Sequence, residues 1–324
     1  MKKGDILICA SSGSKQLVGK AASVNFDVEC TFGAFCKVVR PCEGFSDYLG
    51  VYFQSDIYRR RISELSLGAN INNIKNEHID LLEIPFCDET ETDKFVHSIS
   101  KVQEIIDKRK QQLQQLDELV KARFVEMFGD PVRNDKGWEY KALNDVCDGI
   151  GDGLHGTPEY DDNGDYPFIN GNNLIDGKIV VTPATKMVSE ETYNKHLIDI
   201  SRNAILISIN GTLGKLSFYN GEQVMLGKSA CYCNLKKDVN KVFVYGVMKS
   251  ESFAEFLDNS STKSTIKNVG LKAMREFKLI LPPVELQEQF ATFVEQVDKS
   301  KVAVQKALDE AQTLFDSLMQ EYFE

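Results

Sequence analysis

The chain lacks any run of about eighteen consecutive apolar residues, so no membrane-spanning helix is expected. It begins Met1-Lys2-Lys3-Gly4-Asp5 and goes straight into Ile6-Leu7-Ile8, a run too short for the core of a signal peptide. A cytoplasmic protein with reduced thiols is the expectation. None of the eight cysteines forms a Cys-x-x-Cys pair, and the four histidines (His78, His97, His155, His196) are scattered, which argues against a zinc site. Cys231 and Cys233 stand two apart in a strand-like stretch and read as small apolar side chains on one face. There is no glycine-rich loop leading from a strand into a helix and no His-Glu-x-x-His, which excludes the usual nucleotide cradle and a zinc hydrolase centre. Asp161, Asn163 and Asp165 start like a calcium loop. However, Tyr166 stands where its glycine is needed and Asn172 where its closing glutamate is needed. No catalytic constellation, metal or cofactor site is left, and a non-catalytic protein is expected.

What is present is enough for two domains of ordinary size: 324 residues, 42% of them hydrophobic. The net charge of −10 argues at first against a polyanionic partner. Its distribution weakens that objection. Residues 138–201 hold 12 acids and 4 bases, whereas residues 202–281 hold 6 acids and 12 bases. A basic face inside an acidic chain is therefore possible.

Comparing each residue with the one 195 places later gives an ungapped repeat of nearly sixty residues. Ile71 pairs with Ile266, Asn73 with Asn268, Ile79 with Met274, Leu82 with Phe277, Ile84 with Leu279 and Phe86 with Leu281. The match runs on through Phe95/Phe290 and Leu113/Leu308 to Phe128/Phe323. Upstream, Ile6-Leu7-Ile8 resembles Ile205-Leu206-Ile207. The first copy has no counterpart of roughly residues 138–195.

Each copy ends in a helix-like heptad pattern without Gly or Pro. In the first, Phe95, Ile99, Val102, Ile106, Arg109, Leu113, Leu116, Val120, Arg123 and Met127 step alternately by four and three. The second reads Phe290, Val294, Val297, Lys301, Val304, Leu308, Ala311, Phe315, Leu318 and Tyr322. Two seams of equal length predict two long helices in a coiled coil. Gly129-Asp130-Pro131 stops the first. The lobes between carry short β-rich runs broken by Gly and Asn, and Val242–Leu257 is the best helical signal within them. The expected fold is α+β, with two mainly β lobes separated by the two helices and a pseudo-twofold internal repeat.

Three polar stretches of the second lobe could meet a polyanion. They are Gly151-Asp152-Gly153-Leu154-His155-Gly156-Thr157-Pro158, Asn210-Gly211-Thr212-Leu213-Gly214-Lys215 and Ser260-Ser261-Thr262-Lys263-Ser264-Thr265-Ile266-Lys267. Hydroxyls, backbone N–H groups and lysines suit phosphate, and Asn or His suit base edges. Lys215, Lys228, Lys263 and Lys267 are the candidate phosphate contacts. His155, Thr157, Asn172, Asn173, Asn210 and Thr212 are the candidate polar contacts.

The stretch from Gly137-Trp138 to Val146, the Gly151–Pro158 loop, Tyr166-Pro167-Phe168-Ile169-Asn170-Gly171-Asn172-Asn173-Leu174 and Ile280-Leu281-Pro282-Pro283-Val284-Glu285-Leu286-Gln287-Glu288-Gln289 together resemble the specificity subunit of type I restriction–modification systems. The resemblance covers essentially the whole chain. It implies two target recognition domains held apart by two conserved helices, each reading half of a split double-stranded DNA site. It also implies partners: methyltransferase subunits that use S-adenosylmethionine, and a restriction subunit. The division it suggests is 1–87 (partial first recognition domain), 88–130 (first helix), 131–283 (second recognition domain) and 284–324 (second helix). A helix over residues 93–128 would be roughly 54 Å long, more than the ~34 Å of one DNA turn. In Pro85-Phe86-Cys87-Asp88-Glu89 the chain departs from the family, lacking the double proline and the Glu-Gln present at 282–289. The alternatives are a shortened or silent copy of such a subunit, a coiled-coil scaffold that does not bind DNA, and the recognition portion of a fused enzyme.

Overall fold

The computed structural model describes residues 1–14, 16–66, 73–85 and 88–323; the repeat positions Ile71 and Phe86, and Cys87, lie outside them. The chain is α+β and forms two compact units, Met1–Gln114 with Val302–Glu324, and Gln115–Lys301.

In the first unit, β1 (Ile6–Cys9), β2 (Ala21–Ser23) and β3 (Cys36–Val39) form an antiparallel sheet in the order β2-β1-β3. Alternation along β1 buries Ile6 and Ile8 and leaves Leu7 and Cys9 half-buried, the pattern of a sheet with one face covered. The cover comes from the short helices α1 (Ser46–Tyr52) and α2 (Asp56–Ser66), followed by α3 (Asn76–Asp80) and the first part of the long helix α4 (Glu89–Phe128). Tyr52, Phe53, Tyr58 and Ile62 pack with Ile6, Ile8, Phe95 and Ile99, and with Met319 and Phe323 of the C-terminal helix. Burying one such side chain stabilises by roughly 1.5–3 kcal/mol. At the head of β1, the nearly buried carboxylate of Asp5 takes a two-pronged contact from the Arg40 guanidinium at 2.7 Å on each oxygen, and the Lys2 N–H donates to it as well. These bonds to the ionised form hold the Asp5 pKa well below the carboxylate range.

The second unit holds β4 (Tyr140–Ala142), β5 (Cys147–Asp152), β6 (Tyr166–Ile169), β7 (Leu174–Ile175), β8 (Lys178–Ile179), β9 (Lys186–Val188), α5 (Glu190–Lys195), β10 (Ala204–Ser208), β11 (Leu216–Tyr219), β12 (Met225–Leu226), β13 (Ala230–Leu235), α6 (Lys241–Met248), α7 (Glu251–Ser260), α8 (Leu271–Glu276) and β14 (Lys278–Ile280). The last helix, α9 (Val284–Phe323), starts in this unit and ends in the first. The main sheet is antiparallel in the order β11-β10-β13-β5, with smaller sheets β12-β6-β9, β14-β4 and β7-β8. Every residue of β10 is buried because both faces are covered. Ile205 and Ile207 lie in the core shared with Phe124, Phe128, Phe243 and Phe290, whereas Leu206 lies in a second cluster with Ile169, Leu174 and Leu226. The helical signal over Val242–Leu257 resolves into two helices, since Ser250 adopts extended backbone (φ −77°, ψ 160°) and opens α7.

In each unit the long helices run antiparallel. In the first, Phe95 stacks on Tyr322 with ring centroids 3.8 Å apart, and Val102 and Ile106 cluster with Ala311. In the second, Phe124 and Phe128 pack against Phe290, and Lys301 Nζ lies 2.7 Å from Asp117 Oδ1. All twenty seam positions read from the sequence are buried or half-buried, including Arg109 and Lys301. Among the described residues no helix is long and apolar enough to cross a membrane, and the seven described cysteines are free.

The repeat reappears as matching backbone hydrogen bonds. Gly19 N–H donates to Cys9 O and Cys9 N–H to Lys20 O, both at 2.8 Å; Gly214 N–H donates to Ser208 O and Ser208 N–H to Lys215 O, both at 2.9 Å. Both glycines are left-handed, at φ +80° and +76°, a conformation other residues adopt only with strain. Ile74 N–H donates to Ala10 O at 2.7 Å, as Val269 N–H does to Ile209 O at 2.9 Å. Cys9, Ala10, Lys20 and Ile74 thus stand where Ser208, Ile209, Lys215 and Val269 stand in the second copy.

Candidate nucleic-acid interface

The three polar stretches are far apart in sequence, but the topology of the main sheet brings them together. β5 ends at Asp152, β10 ends at Ser208, β11 starts at Leu216 and β13 starts at Ala230. Cys231 lies opposite Asp152, Ser208 opposite Ala230 and Ile207 opposite Leu216, so all four strand termini share one end of the sheet. The connecting loops are stitched side by side. Lys228 N–H donates to Leu154 O at 3.1 Å, Gly227 N–H to Ile169 O at 2.8 Å, Ile209 N–H to Ser229 O at 3.0 Å and Gly211 N–H to Lys267 O at 2.9 Å. A Cβ on Gly153 would stand 2.1 Å from Leu226 O, so the first stitch requires glycine there.

Loops held by this many backbone bonds present their side chains from fixed positions. His155 is exposed, with Nε2 2.7 Å from Asp152 Oδ2, an N–H donating to a carboxylate that fixes the ring. Thr157, Asn172 and Thr212 are exposed, and Asn210 is half-buried with Nδ2 donating to Asn268 Oδ1 at 3.4 Å. The backbone around Asn172 is set by Asn170, whose Oδ1 accepts the Asn172 N–H at 2.9 Å. Asn173 is different. It is buried, accepts from Asn170 N–H at 3.0 Å, and donates to Val180 O at 2.9 Å and to Thr185 Oγ1 at 3.1 Å. Its side chain is committed to holding the loop.

The lysines also divide. Lys228 and Lys263 are exposed and Lys215 is half-buried, all at this end of the sheet. Lys267 is exposed but forms an ion pair with Asp258. Three other bases of the 202–281 segment are tied to backbone carbonyls. Lys241 Nζ donates to Arg202 O at 2.8 Å and Tyr219 O at 3.1 Å, and burial lowers its pKa. Lys236 Nζ donates to Asp145 O at 2.6 Å, and Arg275 to Ile150 O at 2.9 Å.

Sequence reasoning missed three contributors. Ser229 joins two loops, with Oγ accepting Gly171 N–H at 3.1 Å and its carbonyl accepting Ile209 N–H. Tyr160 packs edge-on to Phe168, and Lys186 Nζ sits 5.9 Å over the Tyr160 ring. Phe168 in turn lies against Gly227, so this exposed aromatic and cation adjoin the loop end. No spacing in one sequence links positions 160, 186 and 229.

Residues 135–311, more than half of the chain, match the family described as "Type I restriction modification DNA specificity domain". The chain is 29% identical to the type I restriction enzyme StySPI specificity subunit of Salmonella potsdam, over 98% of this chain and 72% of that protein. It is 27% identical to the type I restriction enzyme EcoKI specificity subunit of Escherichia coli (strain K12), with the same two coverages. The crystal structure of the S subunit of a type I restriction–modification system from M. genitalium superposes with a TM-score of 0.59 at 16% identity, covering 100% of this chain and 84% of that one, a likeness of fold.

Proposed function

The chain belongs to the type I restriction–modification DNA specificity family, and from that premise we propose that the loop end of the second unit's sheet reads one half of a bipartite double-stranded DNA site. As a specificity subunit it is a non-catalytic, DNA-sequence-recognising component of an assembly with the other subunits. In the proposed assembly it directs S-adenosylmethionine-dependent methyltransferase subunits, and a restriction subunit, to the site in the cytoplasm. The functional division proposed is recognition by 1–87 and 131–283, with 88–130 and 284–324 as the conserved helices.

The observation carrying this reading is the convergence of three unrelated polar loops, with their lysines, at one end of one sheet. Lys215, Lys228 and Lys263 hold the phosphate backbone, and Lys267 joins them when phosphate replaces Asp258 as its partner. His155, Thr157, Asn172, Asn210 and Thr212 meet base edges, while Asn173 keeps its loop in shape. Lysines on phosphate bind without regard to sequence, each steepening the salt dependence by about one counterion. The test is DNA binding by the complex with its methyltransferase, titrated across salt. The Lys228→Ala/Lys263→Ala double variant should bind all DNAs more weakly and lower the log–log salt slope by about two. His155→Ala should instead change which half-site is preferred. An unchanged slope in the double variant puts the DNA on another face.

A further inference from the structure

Four of the described cysteines belong to the first unit, and two of them face each other. β1 and β3 pair antiparallel with Cys9 directly opposite Cys36. The bonding phase follows from their neighbours. Ala10 N–H donates to Phe35 O, so Ala10 and Phe35 form a hydrogen-bonded pair, and Cys9 and Cys36 a non-hydrogen-bonded one. Their backbone groups accordingly turn away from each other: Cys9 N–H donates to Lys20 O and Cys36 N–H to Gly33 O. The non-hydrogen-bonded pair is the closer one in an antiparallel sheet, with Cα atoms about 4.5 Å apart and both side chains on one face. A disulfide accepts Cα atoms about 4.4 to 6.8 Å apart. Cys9 and Cys36 therefore stand at the short end of the range that a bridge can span, and both thiols are half-buried and free.

The second unit has the same pair with different chemistry. Ser208 lies opposite Ala230, and Ile209 N–H donating to Ser229 O gives them the same bonding phase. Ser208 Oγ accepts the Lys215 N–H at 3.0 Å and so holds the loop that follows its strand. Cys9 Sγ donates to Ser11 O at 3.7 Å, also in the loop that follows its strand. The first copy thus has a thiol in place of a hydroxyl, and a second thiol in place of a methyl group. The second unit's own cysteines offer no equivalent. Cys231 and Cys233 are fully buried, and hydrogen bonds with Cys147 and Cys231, together with burial, push the Cys233 thiol up. A thiol held protonated is inert, because the thiolate is the nucleophile.

We propose that Cys9 and Cys36 are a redox modification site: peroxide converts them into a reversible disulfide that staples the end of β1 to the start of β3. One thiolate sulfur attacks the O–O bond of hydrogen peroxide, which breaks to give a sulfenic acid and water. The second sulfur then attacks the first, forming the S–S bond as the S–O bond breaks, and a second water leaves with the remaining proton. Two thiols are oxidised by two electrons, and the peroxide is reduced to two waters. A small thiol restores the pair by exchange, and a bridge at the short end of its range is strained and readily reduced. Transient bridges of this kind are compatible with a reducing compartment. The bridge encloses residues 10–35 and withdraws Cys9 Sγ from Ser11 O. It depends on the register of two neighbouring strands and not on what covers the sheet, and it does not rest on the recognition reading.

The test uses the full chain without DNA, reduced, desalted and treated with a tenfold excess of hydrogen peroxide. Remaining thiols are alkylated and the digest is read by mass spectrometry. The peptides of Cys9 and Cys36 should be linked, two hydrogens lighter, in at least half of the chains, and dithiothreitol should separate them. Exchange at the Ala10 amide, which bonds to Phe35 O beside the bridge, should be at least threefold slower in the oxidised chain. Cys36→Ala should leave Cys9 as a sulfenic acid that dimedone traps. The double variant Cys9→Ser/Cys36→Ala, which copies the second unit's pair, should keep the melting temperature of the reduced chain and show no peroxide effect at Ala10. The proposal is overturned if both thiols remain alkylable after peroxide, or if either bonds to another cysteine instead. It is also overturned if peroxide slows Ala10 equally in the double variant. The cross-link in the parent chain decides the matter even where a variant fails to fold.

Discussion

β1 and β10 are one strand made twice, and they differ on one face. Ile6 and Ile8 point into a core of aromatic rings and helix residues, as Ile205 and Ile207 do. On the other face Leu206 is fully buried beneath the β12-β6-β9 layer, whereas Leu7 is half-exposed. The helix-facing side of the sheet is therefore the repeated structural unit. The other side is where the second copy adds strands, and where the loops at the sheet end obtain their neighbours. The shared face holds the core common to both units, and the other face holds the core that the second unit adds.

The largest expected effects test the shared face. Ile8→Ala and Ile207→Ala should each destabilise their own unit by about 2–5 kcal/mol, the range for a buried aliphatic side chain. Exchange at slow amides of each unit reads the two separately. If Ile8→Ala costs less than half of Ile207→Ala, the two faces are not equivalent. The next pair tests the unshared face. Leu206→Ala should cost about 2–5 kcal/mol in the second unit, and Leu7→Ala under about 1 kcal/mol in the first, because less of Leu7 leaves water on folding. Equal costs would mean that Leu7 is covered.

A smaller effect concerns acid. Asp5 has no equivalent in the second unit, where Ala204 takes its place at the head of β10. Its bonds to Arg40 and Lys2 lower its pKa, so its contribution is present above the ordinary aspartate range near pH 4 and fades as pH falls below it. Asp5→Asn should lower the melting temperature of the first unit at pH 7 and lower it less at pH 2, where part of the contribution has faded. A loss equal at both pH values would assign Asp5 a role independent of charge.

The helices were the most legible feature. A seam every three or four residues is set by local spacing alone, and both helices run the full length it implies, Glu89–Phe128 and Val284–Phe323. The polar loops were legible as loops, since Gly151–Pro158 and Asn210–Lys215 carry turn chemistry. Their convergence was not, because it depends on strand order, and β5 lies beside β13, some eighty residues later. The same limit hid Ser229 and the internal role of Asn173. Whether an Asn faces solvent or bridges Val180 and Thr185 depends on a long-range fold that composition does not record. The break between α6 and α7 was missed because apolar spacing continues across Ser250 while the backbone does not.

The smallest effect lies on the seam, at one of the repeat positions where the two copies differ: Ile106 in the first unit is Lys301 in the second. Ile106 is 1% exposed, whereas the Lys301 side chain is 27% exposed, with its ammonium 2.7 Å from Asp117 Oδ1 and 3.5 Å from Asp298 Oδ1. Burial by itself lowers the Lys301 pKa, but the hydrogen bond and charge of Asp117, helped by Asp298, outweigh it and the net shift is upward. A raised lysine pKa contributes stability that is complete below the ordinary value near 10.5 and is lost as pH rises through the folded one. Both carboxylates are mostly in water, so screening keeps the pair within about 1 kcal/mol. An isoleucine would replace that modest attraction with apolar contact of similar size. Lys301→Ile, which copies the first unit's residue into the second, should therefore shift the stability of the second unit at pH 7 by no more than about 1 kcal/mol in either direction. It should also flatten the loss of stability between pH 9 and 11. Denaturant unfolding at both pH values measures this. A penalty of several kcal/mol at pH 7 would show that the second copy's seam depends on its charge, so that the two copies of the seam are not interchangeable at this position.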